Sequence, residues 1–590
     1  MAEPSKDESR NEPPKDESSH EEQKPPQKPG ITIRQRPKPK PNQDGNSDPR
    51  ATPSPTPSPS KTRPAKRPPR PPVAKKPPEK ALFQDPAVPG PTTAEVSTLA
   101  TRLNYALTDE EVKQCHSLIT DALEGFNRLD HLVEPTLPVK YPRTPGHRPT
   151  AEENPFNAWY WKSTIIGADS GKLAGKKIAI KDNVMVAGVP MMNGCRALEG
   201  TIPDVDATVV TRLLDAGGMI LGKATCENLC YSGCSHTAAY GPVLNFHDQT
   251  RSAGGSSSGS TVLVMTGEVD MAIGGDQGGS LRMPPCWNGA VGLKPTWGLV
   301  PYTGAGSIEP TVDHLGPIAR TVHDCALMLE VIAGYDDGLD HRQPPNIVVP
   351  EYTTEIEVEN LNGMRIGILQ EGFGLDTSEE EVDRIVRDAA MKLADVGAEV
   401  VDVSIPMQKY VMSISSGAAF EGSYHCMVRG SLQGIGYKGY YPSNNMKIAG
   451  EAMKHDTKHL SDKVKVVMLT GAYLNETFHG QYYGRCHNLG RLLRQAYDDV
   501  LKDHDVLIMP TIPFVAQKLP KEGEMTFAER ADYATRMIQN TVAADVTGHP
   551  ALSINAGWVD KLPVGMMIVG RHWDETTVLK VARAHEKKMA

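Results

Sequence analysis

The chain has 590 residues, of which 39% are hydrophobic and 23% charged, and its formal net charge is −9. No apolar run approaches the ~18 residues of a membrane-spanning helix, and the N-terminus lacks the apolar core of a signal peptide, which argues against membrane and secreted classes. We therefore predict an intracellular, cytoplasmic protein with enough apolar material for a large core.

The first part of the chain differs from the rest in composition. Residues 1–80 hold 21 of the 49 prolines. They also hold 18 Lys and Arg against 11 Asp and Glu, which gives them a net charge of +7. Because the whole chain carries −9, residues 81–590 carry −16. Such a segment cannot bury enough apolar surface to offset the entropy of ordering, which predicts a disordered tail over residues 1–92. Its basic, proline-rich end fits a nuclear address, a nucleic-acid patch, a ligand for a proline-binding groove, or a solvated tail without a partner. No base-reading module accompanies it, so no nucleic-acid partner is required.

A helical module follows the tail. Thr108 and Glu111 have the spacing of a capping box, and the apolar residues after them recur every three or four positions until shortly before Pro135. This pattern predicts an amphipathic helix. We assign residues 93–150 to a helical N-terminal module and its linker.

Short β-like runs alternate with helical stretches in the rest of the chain. Residues 207–218 and 379–397 have helical periodicity. The predicted strands are 176–182, 219–224, 364–369, 505–510 and 563–570. This alternation predicts an α/β fold over residues 151–590, with a large mixed, mostly parallel sheet that helices cover on both faces.

Nine cysteines are spread thinly over the chain, which fits reduced thiols better than a disulfide framework. Cys226, Cys230 and Cys234 recur every four residues, without the second distant pair or the histidines that zinc sites usually have. On a helix these three side chains would share one face, so we interpret them as core residues. We predict no metal site.

The stretch GGSSSGST at residues 254–261 allows two interpretations. Gly254 and Gly259 are spaced like the two glycines of a phosphate-binding P-loop. That motif continues with lysine, which reaches the phosphates, whereas Ser260 follows here. The missing lysine argues against nucleotide binding and favours a loop that presents a hydroxyl.

A second glycine- and serine-rich stretch and one lysine complete the pattern. GGDQGGSLR at 274–282 places Ser280 24 residues after Ser256. Upstream, Lys181 ends an apolar run, which is an unusual place for a cation unless it points into a site. One lysine and two glycine-flanked serines are the parts of a nucleophile, a relay and a base.

These motifs resemble those of the amidase signature family, the serine hydrolases with a Ser-cisSer-Lys triad. The similarity covers nearly all of residues 150–590 and includes IAIKDNVMVAGVPMMNG around Lys181, RSAGGSSSGS around Ser256 and AIGGDQGGSLRMPPCWNGAVGLKPTWGLVPYTG around Ser280. The form GGDQGGS and the helical extension look most like broad-range, enantioselective acylamide amidases. The family commonly has GGSSGGS in the first loop, where Ser258 replaces a glycine in this chain.

The resemblance implies a role for each member of the triad. Ser280 is the acyl-forming nucleophile, Ser256 the relay and Lys181 the base, and the peptide between Gly255 and Ser256 is cis in the family. A lysine accepts a proton only when it is neutral, a state that burial or a cationic neighbour favours.

The resemblance also implies supporting groups. Glycines let the backbone approach the substrate oxygen closely, so successive N–H groups can form an oxyanion hole. Its predicted members are Gln277, Gly278, Gly279 and Ser280. The residues expected to support the two loops are Gly255, Ser257, Asp276 and Arg282. For Asp276 and Arg282, a purely structural ion pair is an equal alternative.

The implied reaction is the hydrolysis of carboxylic acid amides to the acid and ammonia through a seryl acyl-enzyme. The resemblance implies a small-molecule amide as substrate, no cofactor and no metal, and dimerisation through the helical module. We expect the substrate pocket to come from an insertion over residues 405–500, where aromatic, small and polar residues mix.

Three alternatives stay open. A glutamine-hydrolysing subunit of a tRNA-dependent amidotransferase shares the triad, but such subunits usually lack the helical extension and carry Thr in place of Gln277. A lipid-amide hydrolase is disfavoured by the missing membrane segment. A non-catalytic scaffold protein with a basic interaction tail is disfavoured by the intact Lys181, Ser256 and Ser280.

Overall fold

The computed structural model describes residues 88–521 and 523–589, which belong to two compact units that divide after Leu129. The predicted disordered tail lies outside the described residues as far as residue 87. Residues 88–92 are described, and the Val88 N–H donates to Asn127 Oδ1 at 2.9 Å. None of the helices among the described residues combines the length and apolarity needed to cross a membrane.

The described part of the smaller unit contains two helices, α1 (Thr93–Arg102) and α2 (Asp109–Asn127). Each begins at a capping box, in which a threonine and a glutamate satisfy each other's backbone N–H groups. The capping box predicted at Thr108 and Glu111 is confirmed, and the helix ends at Asn127, before Pro135.

Eleven strands form one sheet in the described part of the larger unit. They are β1 (Trp159–Ile166), β2 (Lys177–Lys181), β3 (Met219–Ala224), β4 (Met271–Asp276), β5 (Val291–Lys294), β6 (His314–Ala319), β7 (Arg365–Leu369), β8 (Glu399–Val403), β9 (Val506–Pro510), β10 (Ala551–Val559) and β11 (Leu562–Gly570). Their order across the sheet is β1-β3-β2-β4-β6-β5-β10-β11-β9-β7-β8. All five predicted strands are present.

The sheet is mixed, as predicted, but parallel pairs do not dominate it. Four of its ten neighbouring pairs are parallel, in the groups β3-β2-β4 and β9-β7-β8, and six are antiparallel. Three of the six antiparallel pairs arise where the β10–β11 hairpin is inserted between β5 and β9. Adjacent strands of a hairpin are necessarily antiparallel, and strand-helix alternation along the chain does not reveal them.

Thirteen α-helices belong to the described part of the larger unit. They are α3 (Thr208–Asp215), α4 (Ser258–Thr266), α5 (Met283–Asn288), α6 (Val322–Ile332), α7 (Tyr352–Glu355), α8 (Glu380–Met391), α9 (Val411–Ser416), α10 (Ser443–His455), α11 (Asp462–Phe478), α12 (Gln481–Leu501), α13 (Phe527–Tyr533), α14 (Val542–Thr547) and α15 (Glu575–Met589). Residues 140–143, which the sequence analysis assigned to the helical module and its linker, belong to the larger unit. Lys140 Nζ lies 2.6 Å from Asp215.

Helices cover both faces of the sheet, and the alternation of side chains along β2 shows how. Ile178 and Ile180 pack in the core cluster that contains α3, α6, α8 and α15, whereas Ala179 packs in the cluster that contains α4. Because side chains alternate between the faces of a strand, Lys181 lies on the same face as Ala179, toward α4.

The direction of the strands brings the chemistry-bearing residues together. β2 and β4 are parallel neighbours, with Ile180 opposite Ile273, so their carboxyl ends lie at the same edge of the sheet. Lys181 is the last residue of β2, and the loop with Ser280 follows β4. The site therefore lies at the carboxyl ends of parallel strands, where open α/β sheets commonly bind ligands.

Candidate active site

Lys181 is fully buried, and its amine reaches two oxygens. Nζ lies 2.8 Å from Ser256 Oγ and 3.1 Å from the carbonyl oxygen of Gly275. The neighbouring buried lysine, Lys223, instead faces Asp182 at 3.3 Å and Val184 O at 2.6 Å. Lys181 therefore has no carboxylate among its hydrogen-bond partners in the described residues, and its amine is directed at a serine hydroxyl.

The first glycine-serine loop leads into α4 and holds Ser256 against Lys181. The peptide between Gly255 and Ser256 is cis, as the family resemblance implies. Ser257 Oγ donates to Gly275 O at 3.1 Å and accepts from Gly275 N at 3.2 Å. Ser257 thus joins this loop to the end of β4, and among the described residues its hydroxyl makes no hydrogen bond to Ser280.

Ser280 completes a chain of three side chains. Ser256 Oγ lies 3.0 Å from Ser280 Oγ, so an unbroken hydrogen-bonded path connects Lys181 to Ser280. Ser280 is 5% exposed and lines a cavity, whereas Lys181 and Ser256 are fully buried. The arrangement can move a proton from a hydroxyl at the cavity surface to an amine in the interior.

Asp276 organises the loop that carries Ser280. Its carboxylate accepts hydrogen bonds from the backbone N–H groups of Gly278, Gly279 and Leu281. The predicted oxyanion amides of Gly278 and Gly279 therefore already have a protein acceptor, whereas those of Gln277 and Ser280 do not donate to Asp276.

Arg282 holds Asp276 in its ionised form. Its Nε lies 2.9 Å from Asp276 and another nitrogen lies 2.8 Å from Asp545, and all three side chains are fully buried. Burial alone would raise the pKa of Asp276, but the guanidinium and the Leu281 N–H outweigh it and keep that pKa well below its usual range. The predicted ion pair between Asp276 and Arg282 is present, and it holds the Asp276 carboxylate that binds the backbone of the Ser280 loop.

Most of the larger unit matches a known protein family. A family model described as Amidase matches residues 157–579. The chain belongs to the amidase signature family. The protein is therefore an amidase, a hydrolase that acts on amide C–N bonds, and the predicted family and fold are confirmed.

Individual relatives agree with this assignment. The amidase is 43% identical over 497 residues to an enantioselective amidase from Rhodococcus rhodochrous, a match over 83% of this chain and 95% of that protein. It is 36% identical over 427 residues to one of the subunits of glutamyl-tRNA(Gln) amidotransferase from Koribacter versatilis, over 72% and 86% of the two chains. The solved structure of a peptide amidase from Stenotrophomonas maltophilia is 30% identical, with a TM-score of 0.57 over 71% of this chain and 83% of that one.

The structure explains the unusual Ser258 of the amidase. Ser258 Oγ donates to Glu227 Oε1 at 3.0 Å, and the other carboxylate oxygen accepts two hydrogen bonds from Thr237. The Glu227 N–H also donates to Ser256 O at 3.3 Å. Glu227 therefore contacts the loop on both sides of Ser257, and the contact at Ser258 requires a hydroxyl that glycine cannot supply.

Glu227→Gln is expected to remove a pH dependence of stability. Burial raises the pKa of Glu227 from 4.5 to about 7 in spite of its hydrogen bonds. Between pH 4.5 and about pH 7 the folded amidase keeps a proton on Glu227 that the unfolded chain has released. The free energy of unfolding therefore falls as the pH rises through this range, by at most about 3 kcal/mol. Urea unfolding of both proteins at about pH 5 and about pH 7.5 measures this difference. Equal changes in the two proteins would contradict the assignment.

The three cysteines are core residues, as predicted, but they do not lie on one helical face. Cys230 ends a single short turn, Asn228–Cys230, and has a positive φ of 59°, while Cys226 and Cys234 lie in irregular chain on either side of that turn. All three are buried, so their interpretation as core residues is confirmed.

The cavity beside Ser280 is lined mainly by apolar and small side chains. Part of its wall comes from the predicted region 405–500, through Ser415, Ala418, Ala419 and Ser423. The sequence did not indicate another part of the wall, which is formed by Thr535, Ile538, Val542 and Val546 in and before α14. These residues have the ordinary spacing of a packed helix, which carries no signal of a binding surface.

Two further contacts at the site come from residues that the sequence did not single out. Tyr302 accepts a hydrogen bond from Gln277 Nε2 at 2.9 Å and donates to Gly306 O at 2.9 Å. Thr541 Oγ1 donates to Gly278 O at 2.5 Å. Tyr302 lies within the stretch quoted around Ser280 but 25 residues after Gln277, and Thr541 lies 263 residues after Gly278, so the sequence did not show that either residue contacts this loop.

Proposed function

We propose that Ser280 is the acyl-forming nucleophile of this amidase, with Ser256 as the relay and Lys181 as the base. The observation that supports these roles is the buried path from Lys181 Nζ to Ser280 Oγ, with steps of 2.8 and 3.0 Å. A serine hydroxyl is a weak nucleophile at neutral pH and requires such an adjacent base.

The first step transfers a proton inward. Ser280 Oγ attacks the amide carbonyl carbon while its proton passes to Ser256 Oγ, and the Ser256 proton passes to the neutral Lys181 amine. Gly275 O accepts one N–H of that amine and holds it in place, so that the nitrogen lone pair stays directed at Ser256. Arginine could not perform this role, because it stays protonated in proteins.

The negative charge of the tetrahedral intermediate requires donors on the loop before Ser280. We assign this role primarily to the Ser280 and Gln277 N–H groups, because those of Gly278 and Gly279 donate to Asp276. Donors fixed in advance are worth about 3–4 kcal/mol each in such sites. Asp276 and Arg282 then act as positioning residues that set the direction of the loop.

The second half of the reaction returns the proton. Ser256 donates to the departing amine and is reprotonated from Lys181, which leaves an ester between the acyl group and Ser280. A water molecule then loses a proton to the same relay and attacks the ester carbonyl carbon. The carboxylic acid departs, and Ser280 regains its hydrogen.

The cavity indicates the class of substrate. Met283, Ile308, Val312, Ile538 and Val542 line the cavity beside Ser280, so an apolar acyl group that binds there loses contact with water. We propose small carboxylic acid amides with an aliphatic or aryl acyl group as substrates.

The purified chain alone is expected to release ammonia from aliphatic and aryl amides. A panel that also contains peptide amides and glutamine, followed by an ammonia assay, tests this. Activity toward glutamine only, and only after addition of a second subunit, would instead support the function named in the Koribacter versatilis relative.

A further inference from the structure

A histidine-carboxylate cluster lies outside the catalytic site. Asp498 is on α12, His549 lies between α14 and β10, and His572 follows β11. One ligand atom from each of the three lies within 4.8 Å of the other two. His549 is fully buried and His572 is 12% exposed, while Asp498 is 36% exposed.

The hydrogen bonds of His572 leave one ring nitrogen without a proton. His572 Nε2 lies 3.0 Å from the carbonyl oxygen of Thr547, which only accepts, so the proton of the neutral ring is on Nε2. Nδ1 then carries a lone pair, and it lies 3.5 Å from Asp498 Oδ1. Two electron-rich atoms face each other, an arrangement that a cation between them would stabilise.

His549 faces the same carboxylate oxygen. Its Nε2 lies 3.1 Å from Asp498 Oδ1, and its Nδ1 lies 2.9 Å from the Thr547 hydroxyl, which can accept the Nδ1 proton. In both rings, the nitrogen that does not face Asp498 contacts Thr547, and this contact orients the ring. Metal-binding histidines usually have such a hydrogen bond on the nitrogen that does not bind the metal.

The distances fit a small divalent ion. Zinc lies about 2.0–2.2 Å from nitrogen and oxygen ligands, so the ligands of a tetrahedral site are about 3.3 Å apart. The two measured distances to Asp498 Oδ1, 3.1 and 3.5 Å, bracket this value. Arg494 approaches the other carboxylate oxygen at 3.6 Å and leaves Oδ1 to the imidazoles.

We propose that Asp498, His549 and His572 bind a divalent transition-metal ion of the zinc class. His572, Thr547 and Gly548 line a cavity that shares Val312, Ser415, Ala418 and Val546 with the cavity beside Ser280. A water molecule or a carboxylate would supply the fourth ligand. The ion joins α12 to the turns beside β10 and β11.

The test uses the full chain without an affinity tag, stripped with EDTA and titrated with zinc chloride by calorimetry. One equivalent is expected to bind and to raise the Tm. His572→Gln keeps a donor for Thr547 O but removes the Nδ1 ligand, and it is expected to weaken zinc binding by at least about 100-fold. Asp498→Asn, at a partly exposed position, is a second variant with the same expected loss.

His455→Gln is the matched control. His455 faces Glu451 at 3.4 Å on the exposed surface of α10, away from the cluster, and its replacement should leave zinc binding unchanged. The proposal is overturned if the wild-type chain shows no saturable binding, or if His572→Gln and Asp498→Asn bind zinc as tightly as the control.

Discussion

Ser280→Ala is expected to lower kcat/KM for amide substrates by at least about 10⁴-fold, because the attacking oxygen is lost while the cavity and the backbone N–H groups remain. The variant should fold normally, since alanine removes one hydroxyl whose neighbour, Ser256, keeps its contact with Lys181. Initial rates of ammonia release and labelling with a fluorophosphonate probe measure the effect.

Ser415→Ala is the control for this variant. Ser415 also lines the cavity, but its hydroxyl donates to Met412 O at 3.0 Å and has no part in the path to Lys181. Its replacement should change kcat/KM by less than about tenfold and leave labelling intact. Labelling of Ser280→Ala at the wild-type rate would show that another residue is the nucleophile.

Lys181→Met is expected to lower kcat by at least about 10³-fold with little change in KM, because the base is lost while the cavity that binds the substrate is unchanged. Methionine occupies a similar volume without a charge, and Lys181 has no ion-pair partner among the described residues to be left uncompensated. Steady-state kinetics across a range of pH values, with circular dichroism as a check of folding, measure the loss.

Lys223→Met is the control for Lys181→Met, because we expect Lys223 to stabilise the fold without acting as the base of the reaction. Lys223 is equally buried, on the adjacent strand β3, but it compensates Asp182 at 3.3 Å. Its loss should lower the free energy of unfolding by about 3–5 kcal/mol, while the folded fraction retains most of its kcat. If Lys181→Met loses stability and not turnover, the assignment of Lys181 as the base is wrong.

The features that could be predicted from the sequence are those marked by residues close to them in the chain. The apolar run 219–224 coincides with β3, and Thr108 with Glu111 marks the beginning of α2. Lys181 stood out because a lysine at the end of an apolar run is costly to bury unless it serves a site, and Ser256 and Ser280 stood out through the glycine-rich motifs around them. Each of these signals lies within a few residues of the feature it marks.

The features that could not be predicted from the sequence depend on contacts between residues that are far apart in the chain. The antiparallel centre of the sheet depends on β10 and β11 inserting between β5 and β9, which are distant along the chain. Likewise, the partner of Ser258 is Glu227, and Arg282 pairs with Asp545, 263 residues away. A single sequence contains no signal for contacts of this kind, because either partner alone is an ordinary polar residue.

The positions of the proposed catalytic groups have a consequence for engineering of the amidase. Lys181 and Ser257 both bind the peptide of Gly275 at the end of β4, whereas Ala418, Ile538 and Val546 line the cavity from the chain after α9, the chain before α14 and α14 itself. The side chains of these three residues take no part in the hydrogen bonds that connect Lys181, Ser256 and Ser280. Libraries that vary them can therefore search for new acyl preferences while those hydrogen bonds are kept.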